Sequence, residues 1–293
     1  MITRILTAVV GIPLVLVLLF WPGGTPWTVF VAALVAMACW EYASALWKQG
    51  IFTHWIALVL GCAALFPPIG SWETIPGWFM ARSVLPIPVL LVFALILVLA
   101  GDLVWSRRAP IRNIGSALFG IAWIGALIPM LVLLRMAQPL CGCVDTPIGD
   151  YGAWVVLWAL LIIWFGDSAA YFVGRKWVGR KLAPAISPNK TWSGAIGGLT
   201  GSALGGVIGY FPLTADVGEY RFGWEIIAIG LVVGVIVGLM GQIGDLVESA
   251  VKRELGIKDF GSLLPGHGGV LDRFDSLMFA APTLWFLANG LLR

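Results

Sequence analysis

Charge is scarce in this chain. Only 11% of its 293 residues are Asp, Glu, Lys or Arg, against about 25% in an ordinary soluble domain, while 60% belong to the hydrophobic set. That composition excludes a water-soluble globule, a disordered chain and a conventional nucleic-acid binder. Histidine and cysteine are also few, at two and four residues. Cys39 and Cys62 fall within apolar runs as small apolar side chains, and Cys141 and Cys143 share a loop; the absence of any C-x-x-C pair argues against a thiolate zinc site.

What the chain has is apolar length. Runs approaching the roughly 20 residues that cross a bilayer occur at Ile5 to Trp21, Trp27 to Trp47, Thr53 to Phe66, Leu85 to Trp105, Ile114 to Met136, Ala153 to Arg175, Gly194 to Tyr210, Trp224 to Val251 and Leu277 to Leu292. The expected fold is therefore all-α, a polytopic integral membrane protein with about nine transmembrane helices. The third run is the weakest, being short and closed by Pro67 and Pro68. Sixteen Trp, 37 Gly and 17 Pro suit interfacial anchoring, close helix contact and tolerated membrane prolines.

Basic residues set the orientation. With the N-terminus inside, the cytoplasmic side holds every Lys and Arg except Arg82, Arg135, Arg221 and Arg293, as the positive-inside rule requires. The N-terminus is then cytoplasmic and the C-terminus outside. A cleaved signal peptide is the alternative reading of the first run, but Phe20-Trp21-Pro22-Gly23-Gly24 offers no small-x-small cleavage site.

Glycine recurs every fourth residue at Gly197, Gly201, Gly205 and Gly209, and again at Gly230, Gly234 and Gly238. Such rows let helices approach closely, either within one subunit or at the seam of a homodimer. Four acids, Glu41, Asp102, Asp167 and Asp245, interrupt the apolar runs, where a carboxylate at the bilayer centre costs about 2.5 to 3.5 kcal/mol. By depth all four lie toward the cytoplasm. For Glu41 and Asp102 a carboxylate reaching the interface or a nearby Arg suffices; Asp167 and Asp245 instead lead straight into two polar loops.

The first loop runs from Gly174 to Trp192 and carries Arg175, Lys176, Arg180, Lys181 and Lys190 with Ser187, Asn189 and Thr191. Asp167, Tyr171 and Arg175 stack at i, i+4 and i+8 on the way in, which makes the region a pocket for a polyanion. The second loop follows a helix of about 48 Å, longer than the membrane, if it runs from Trp224 to Leu255. Asp245, Ser249 and Lys252 share a face there, followed by Arg253 and Lys258. Asp272 and Asp275 are spaced i, i+3 and could share a cation with Asp245. Carboxylates without His or Cys suit a hard ion such as Mg²⁺. His267, between glycines, serves phosphate hydrogen bonding or loop anchoring better than base catalysis, and Gly268 and Gly269 can turn backbone N–H groups toward an anion.

At these residues the chain resembles the phosphatidate cytidylyltransferase, or CDP-diacylglycerol synthase, family. The 27 residues from Ser249 to Asp275, S-A-V-K-R-E-L-G-I-K-D-F-G-S-L-L-P-G-H-G-G-V-L-D-R-F-D, look like the complete family signature. The G-D-S-A-A-Y at Gly166 to Tyr171 and S-P-N-K-T-W at Ser187 to Trp192 are similar to two further motifs. Ser193 stands where relatives often carry a longer polar residue.

The resemblance implies reaction of CTP with phosphatidic acid at the inner face of a membrane, giving CDP-diacylglycerol and pyrophosphate. It implies Mg²⁺ held by Asp245, Asp272 and Asp275, with a monovalent cation such as K⁺ nearby, and no nucleic-acid partner. The expected catalytic residues are Asp167, Asp245, Lys252, Arg253, Asp272 and Arg273. Substrate contacts are expected from Tyr171, Ser187, Asn189, Lys190, Thr191, Ser249, Lys258, His267, Gly268 and Gly269.

Residues 1–150 would form a scaffold of about five helices, and 151–293 a catalytic region with cytoplasmic loops 175–193 and 252–276, in a bacterial cytoplasmic membrane. A transporter would instead need a midplane site and two related halves, and no repeat between halves is visible. A kinase acting on a lipid alcohol would leave a bare phosphate on its product. A purely structural role leaves the buried acids and loop cations without a use.

Overall fold

A computed structural model describes residues 2–53, 55–64, 95–96, 98–101, 110–137, 150–177, 179–214, 223–261 and 268–290. The expectations for Asp102, Cys141, Cys143 and His267, and most of the fourth apolar run, lie outside them. The chain divides into two compact units, Met1–Val132 with Ile257–Arg273 and Leu133–Gly256 with Phe274–Arg293.

In the first unit, α1 (Ile2–Phe20) leads through Gly23 and Gly24 into α2 (Thr25–Lys48). Both glycines take positive φ, +79° and +65°, which an L side chain resists, and Pro26 fits the first turn of α2, where no N–H partner is needed. Next come α3 (Trp55–Ala64) and α4 (Pro110–Gly120), whose end passes into a π-helical turn at Ile121–Gly125, and then α5 (Met130–Arg135). Gly120 and Gly125 bring this segment against its neighbours. A Cβ at Gly120 would lie 2.6 Å from the Tyr42 ring and one at Gly125 2.8 Å from Cys62 Sγ. Trp27 Nε1 donates to Leu131 O at 3.1 Å, so the buried indole is satisfied. Tyr42 and Trp123 meet edge to face at 6.2 Å, and Phe260 packs 6.0 Å from Trp123.

The second unit is built on α6 (Tyr151–Lys176), α7 (Trp192–Thr214), α8 (Trp224–Glu254) and α9 (Leu271–Gly290). Asp150 caps α6 by accepting the Ala153 N–H, and its other oxygen pairs with Arg135 at 2.6 Å. The glycine rows serve packing among these helices. A Cβ at Gly205 would lie 2.7 Å from Leu161 O, and one at Gly206 2.7 Å from Gly234 Cα. Backbones this close exclude any side chain between them. Trp158 Nε1 donates to Gly206 O at 2.8 Å across the same seam.

Between α6 and α7 the chain forms a small antiparallel hairpin, β1 (Lys181–Ala183) and β2 (Ser187–Thr191), with Lys181 opposite Thr191 and Ala183 opposite Ser187. The all-α expectation thus holds for the mass of the described protein, with this hairpin as the addition. Among the described residues, five stretches are long and apolar enough to cross a membrane: Thr25–Lys48, Ile111–Arg135, Tyr151–Lys176, Trp192–Thr214 and Trp224–Glu254.

Candidate active site

The S-P-N-K-T-W motif becomes strand β2 and the start of α7. Thr191 Oγ1 accepts the Gly194 N–H at 3.1 Å, capping α7, and Trp192 N–H donates to Arg180 O at 3.0 Å, folding the hairpin back. The hairpin can lie close because Gly174 and Gly194 meet without side chains, a Cβ at Gly194 falling 3.4 Å from Gly174 Cα. Ser193, the position that departs from the family pattern, donates to Trp177 O at 2.5 Å. Its short side chain is thus used locally.

A cavity of about 580 Å³ opens here, lined by Asp167, Tyr171 and Arg175 of α6, Asn189, Lys190 and Thr191 of β2, and Asp245 of α8 among others. The expected stacking on α6 is present: Arg175 Nη1 donates to Tyr171 OH at 3.0 Å. Asp167 and Tyr171 are exposed on its wall. Opposite charges meet in its lining, where Lys190 Nζ lies 2.6 Å from Asp245 Oδ2.

Asp245 belongs to a group of carboxylates. Ligand oxygens of Asp245, Glu248 and Asp275 all lie within 4.8 Å of one another. They converge because α8 and α9 touch at glycine: a Cβ on Gly244 would fall 2.6 Å from Asp275 O. Asp275 precedes the last apolar run, and burial together with the charge of Asp245 pushes its carboxyl up to about 6. Ser249 Oγ donates to Asp245 Oδ1 at 3.4 Å. Lys252 Nζ pairs with Glu248 Oε2 at 3.0 Å one helical turn away. Arg253 reaches from the same helix end to the hairpin, its Nε donating to Ile186 O at 3.1 Å.

Glu248 is the residue that sequence reasoning passed over. It stands one residue before the Ser249 to Asp275 run and has no role in the reading of the sequence, although i, i+3 spacing from Asp245 places the two on neighbouring positions of one helix face. Of Asp272 and Asp275, both expected beside Asp245, Asp275 is in the group and Asp272 is not.

Asp272 and Arg273 are described with the first unit. Asp272 Oδ2 accepts the N–H of Phe260 at 3.0 Å and of Gly269 at 2.8 Å. Gly268 has φ +86°, the left-handed conformation that suits glycine. Lys258 and Arg273 are exposed. Glu41 is not the interface-seeking carboxylate the sequence suggested. It is buried, and its two oxygens accept the N–H groups of Val270 and Leu271.

Apolar helices of membrane-crossing length, carrying at one end a carboxylate triad beside a lysine-bearing hairpin, define a helical membrane protein with a site suited to phosphate and a hard cation. The chain belongs to the cytidylyltransferase family, whose profile matches residues 2–290. It is similar to proteins named phosphatidate cytidylyltransferase. That of Brucella suis biovar 1 (strain 1330) is 34% identical over 286 residues, covering 97% of this chain and 91% of the relative. That of Synechocystis sp. (strain ATCC 27184 / PCC 6803 / Kazusa) is 32% identical over 310 residues, covering 99% and 97%. That of Bacillus subtilis (strain 168) is 32% identical over 287 residues, covering 97% and 95%.

Proposed function

We propose that this chain transfers CMP from CTP to phosphatidic acid, forming CDP-diacylglycerol and pyrophosphate at the cytoplasmic face of a bacterial inner membrane. The observation that carries the reading is the Asp245, Glu248 and Asp275 group beside Lys190, with Asp245 and Lys190 both lining the cavity. Full-length similarity to proteins named for phosphatidate supports the choice of lipid. The reading includes nine membrane-spanning helices with the N-terminus inside and the C-terminus outside. It also includes a division of labour between residues 1–150 as scaffold and 151–293 as catalytic region.

One substrate is confined to the bilayer and the other to water, so their reaction must take place where helix ends meet polar loops. An oxygen of the lipid phosphate attacks the α-phosphorus of CTP, and the bond from that phosphorus to the pyrophosphate oxygen breaks. A phosphomonoester is already ionised near neutrality, its second pKa being about 6, so no strong general base is required. The work left to the protein is alignment and charge neutralisation.

The donor set fits Mg²⁺: three carboxylates within 4.8 Å of one another, without nitrogen or sulfur donors, are hard oxygen ligands. Asp245, Glu248 and Asp275 would hold the ion, which when bound supplies positive charge to the triphosphate oxygens. Lys190 is placed to exchange its contact with Asp245 for one with a phosphate. Lys252, beside Glu248, and Arg253, anchored on the hairpin, flank the same position and screen the two anions from each other. Tyr171, Asn189 and Thr191 line the cavity that receives substrate, with Ser249 orienting Asp245. Asp272, Arg273, Lys258, His267, Gly268 and Gly269 enter the proposal through the signature alone.

The test supplies purified full-length protein in lipid vesicles with CTP, Mg²⁺ and phosphatidic acid and weighs the lipid product. A lipid heavier by one CMP unit, formed with equimolar pyrophosphate, is expected. A product carrying only an added phosphate, or no product at all, contradicts the reading.

A further inference from the structure

Glu41 sits in α2, in an apolar stretch whose nearest cation along the chain is Lys48. The residue is 5% exposed, and its carboxylate accepts from Val270 N–H at 2.9 Å and from Leu271 N–H at 3.0 Å. These amides belong to the residue just before α9 and to its first residue, where N–H groups have no acceptor within the helix. A cap ordinarily comes from the residue just before the helix. Here that stretch reads Gly268-Gly269-Val270, which offers no side-chain oxygen, and Asp272 in the first turn is committed to Phe260 and Gly269.

A residue 229 positions away therefore supplies the cap. The flanking backbone is pared to admit it. A Cβ at Gly269 would lie 2.6 Å from Glu41 Oε2, and one at Gly261 would collide with Oε1. The carboxylate thus bonds to the backbone at Val270 and Leu271 and lies closely against Gly261. The negative charge also suits the positive end of the α9 dipole.

We propose that Glu41 is a positioning residue for the transfer reaction: as a carboxylate it fixes Val270 and Leu271, where α9 starts, and with them Asp272 and Arg273. Both acceptor oxygens are required. In Glu41→Gln the side chain keeps its length but turns an NH₂ toward one of the two N–H groups, leaving a buried donor facing a donor. Glu41→Asp keeps both oxygens on a shorter stem and should restore part of the function.

The activity arm of this inference rests on the reading above, so its test has an independent arm. Full-length wild type, Glu41→Gln and Glu41→Asp in lipid vesicles are compared by amide hydrogen exchange and by steady-state turnover of CTP and phosphatidic acid. In Glu41→Gln, exchange at Val270 and Leu271 rises about tenfold or more, as loss of a charge-assisted bond implies, while exchange in α6 is unchanged. Its kcat per folded molecule falls by at least about tenfold with KM for CTP held within about threefold, and Glu41→Asp recovers protection and kcat together.

A merely structural cap would lower thermal stability and leave kcat per folded molecule unchanged, which overturns the inference. So does unaltered exchange at Val270 and Leu271. If Glu41→Gln does not fold, Glu41→Asp decides: reduced protection with wild-type kcat overturns the proposal, and a joint loss supports it. A wild type that makes no CMP-bearing lipid sinks the proposed reaction, and the exchange arm still reports whether Glu41 holds the start of α9.

Discussion

Lys190 Nζ lies 2.6 Å from Asp245 Oδ2, joining strand β2 to helix α8 in the lining of the cavity. Both side chains are part exposed, at 26% and 33%, so the pair is open to exchange rather than locked in a core. It neutralises one acid of a three-carboxylate group, and in the proposed reaction its ammonium would turn to a substrate phosphate. Lys190→Met should therefore lower kcat for CMP transfer by about 100-fold or more, the usual scale for one lost transition-state contact. Lys190→Arg should retain more of it, because charge is kept. Steady-state assays on both variants check this, and a fully active Lys190→Met would remove the lysine from the mechanism.

The carboxylate group makes a second, separable prediction. Asp245→Asn, Glu248→Gln and Asp275→Asn should each raise the Mg²⁺ concentration for half-maximal activity by about 10-fold or more. Asp245→Asn should also cost at least about 100-fold in rate at saturating Mg²⁺. Removing divalent ions with a chelator should abolish turnover, and readdition should restore it. A Glu248→Gln enzyme with an unchanged Mg²⁺ titration would exclude that residue as a ligand.

Arg253 fastens the hairpin to the end of α8 through Ile186 O. Arg253→Ala should leave global stability nearly unchanged, since the side chain is exposed. The KM for CTP should rise several-fold as the hairpin loses its tether. Unfolding curves and substrate titrations measured together separate the two effects; a large drop in stability with unchanged KM would assign Arg253 a folding role instead.

Packing of the second unit depends on the glycine seam. Gly206 faces Gly234 Cα, which a Cβ would approach to 2.7 Å, and also accepts the Trp158 indole N–H. Gly206→Val should destabilise the protein by about 1 to 3 kcal/mol through overpacking. Gly179→Ala, whose nearest contact would be an ordinary 3.6 Å to Ser193 Oγ, serves as the control. Thermal unfolding in matched detergent distinguishes them.

Much of this arrangement is legible in the sequence, for physical reasons. The long apolar runs at Trp27 to Trp47, Ala153 to Arg175, Gly194 to Tyr210 and Trp224 to Val251 can only be satisfied as helices in hydrocarbon, and they fold as helices α2, α6, α7 and α8. Asp245 stands out because an acid in such a run is costly, and the i, i+4 stacking of Tyr171 and Arg175 follows from helix geometry alone.

What was not legible depends on which helices cross where. Glu248 joins Asp275 only because α8 and α9 touch at Gly244, a contact no local pattern encodes. Glu41 looked like an isolated acid because its partners are 229 and 230 residues away and are backbone amides, which carry no side-chain signal. The hairpin at Lys181 to Thr191 escaped notice because its strands are three and five residues long and polar, without the apolar alternation that marks a half-buried strand.

The most direct test of the central claim follows the phosphorus. The intact protein in vesicles of phosphatidic acid is given Mg²⁺ and CTP labelled at either the α- or the γ-phosphate, and label is counted in the extracted lipid. The account predicts α-label in the lipid and γ-label in released pyrophosphate, with both transfers lost in Asp245→Asn. Recovery of γ-label in the lipid, or equal transfer by Asp245→Asn, would contradict it.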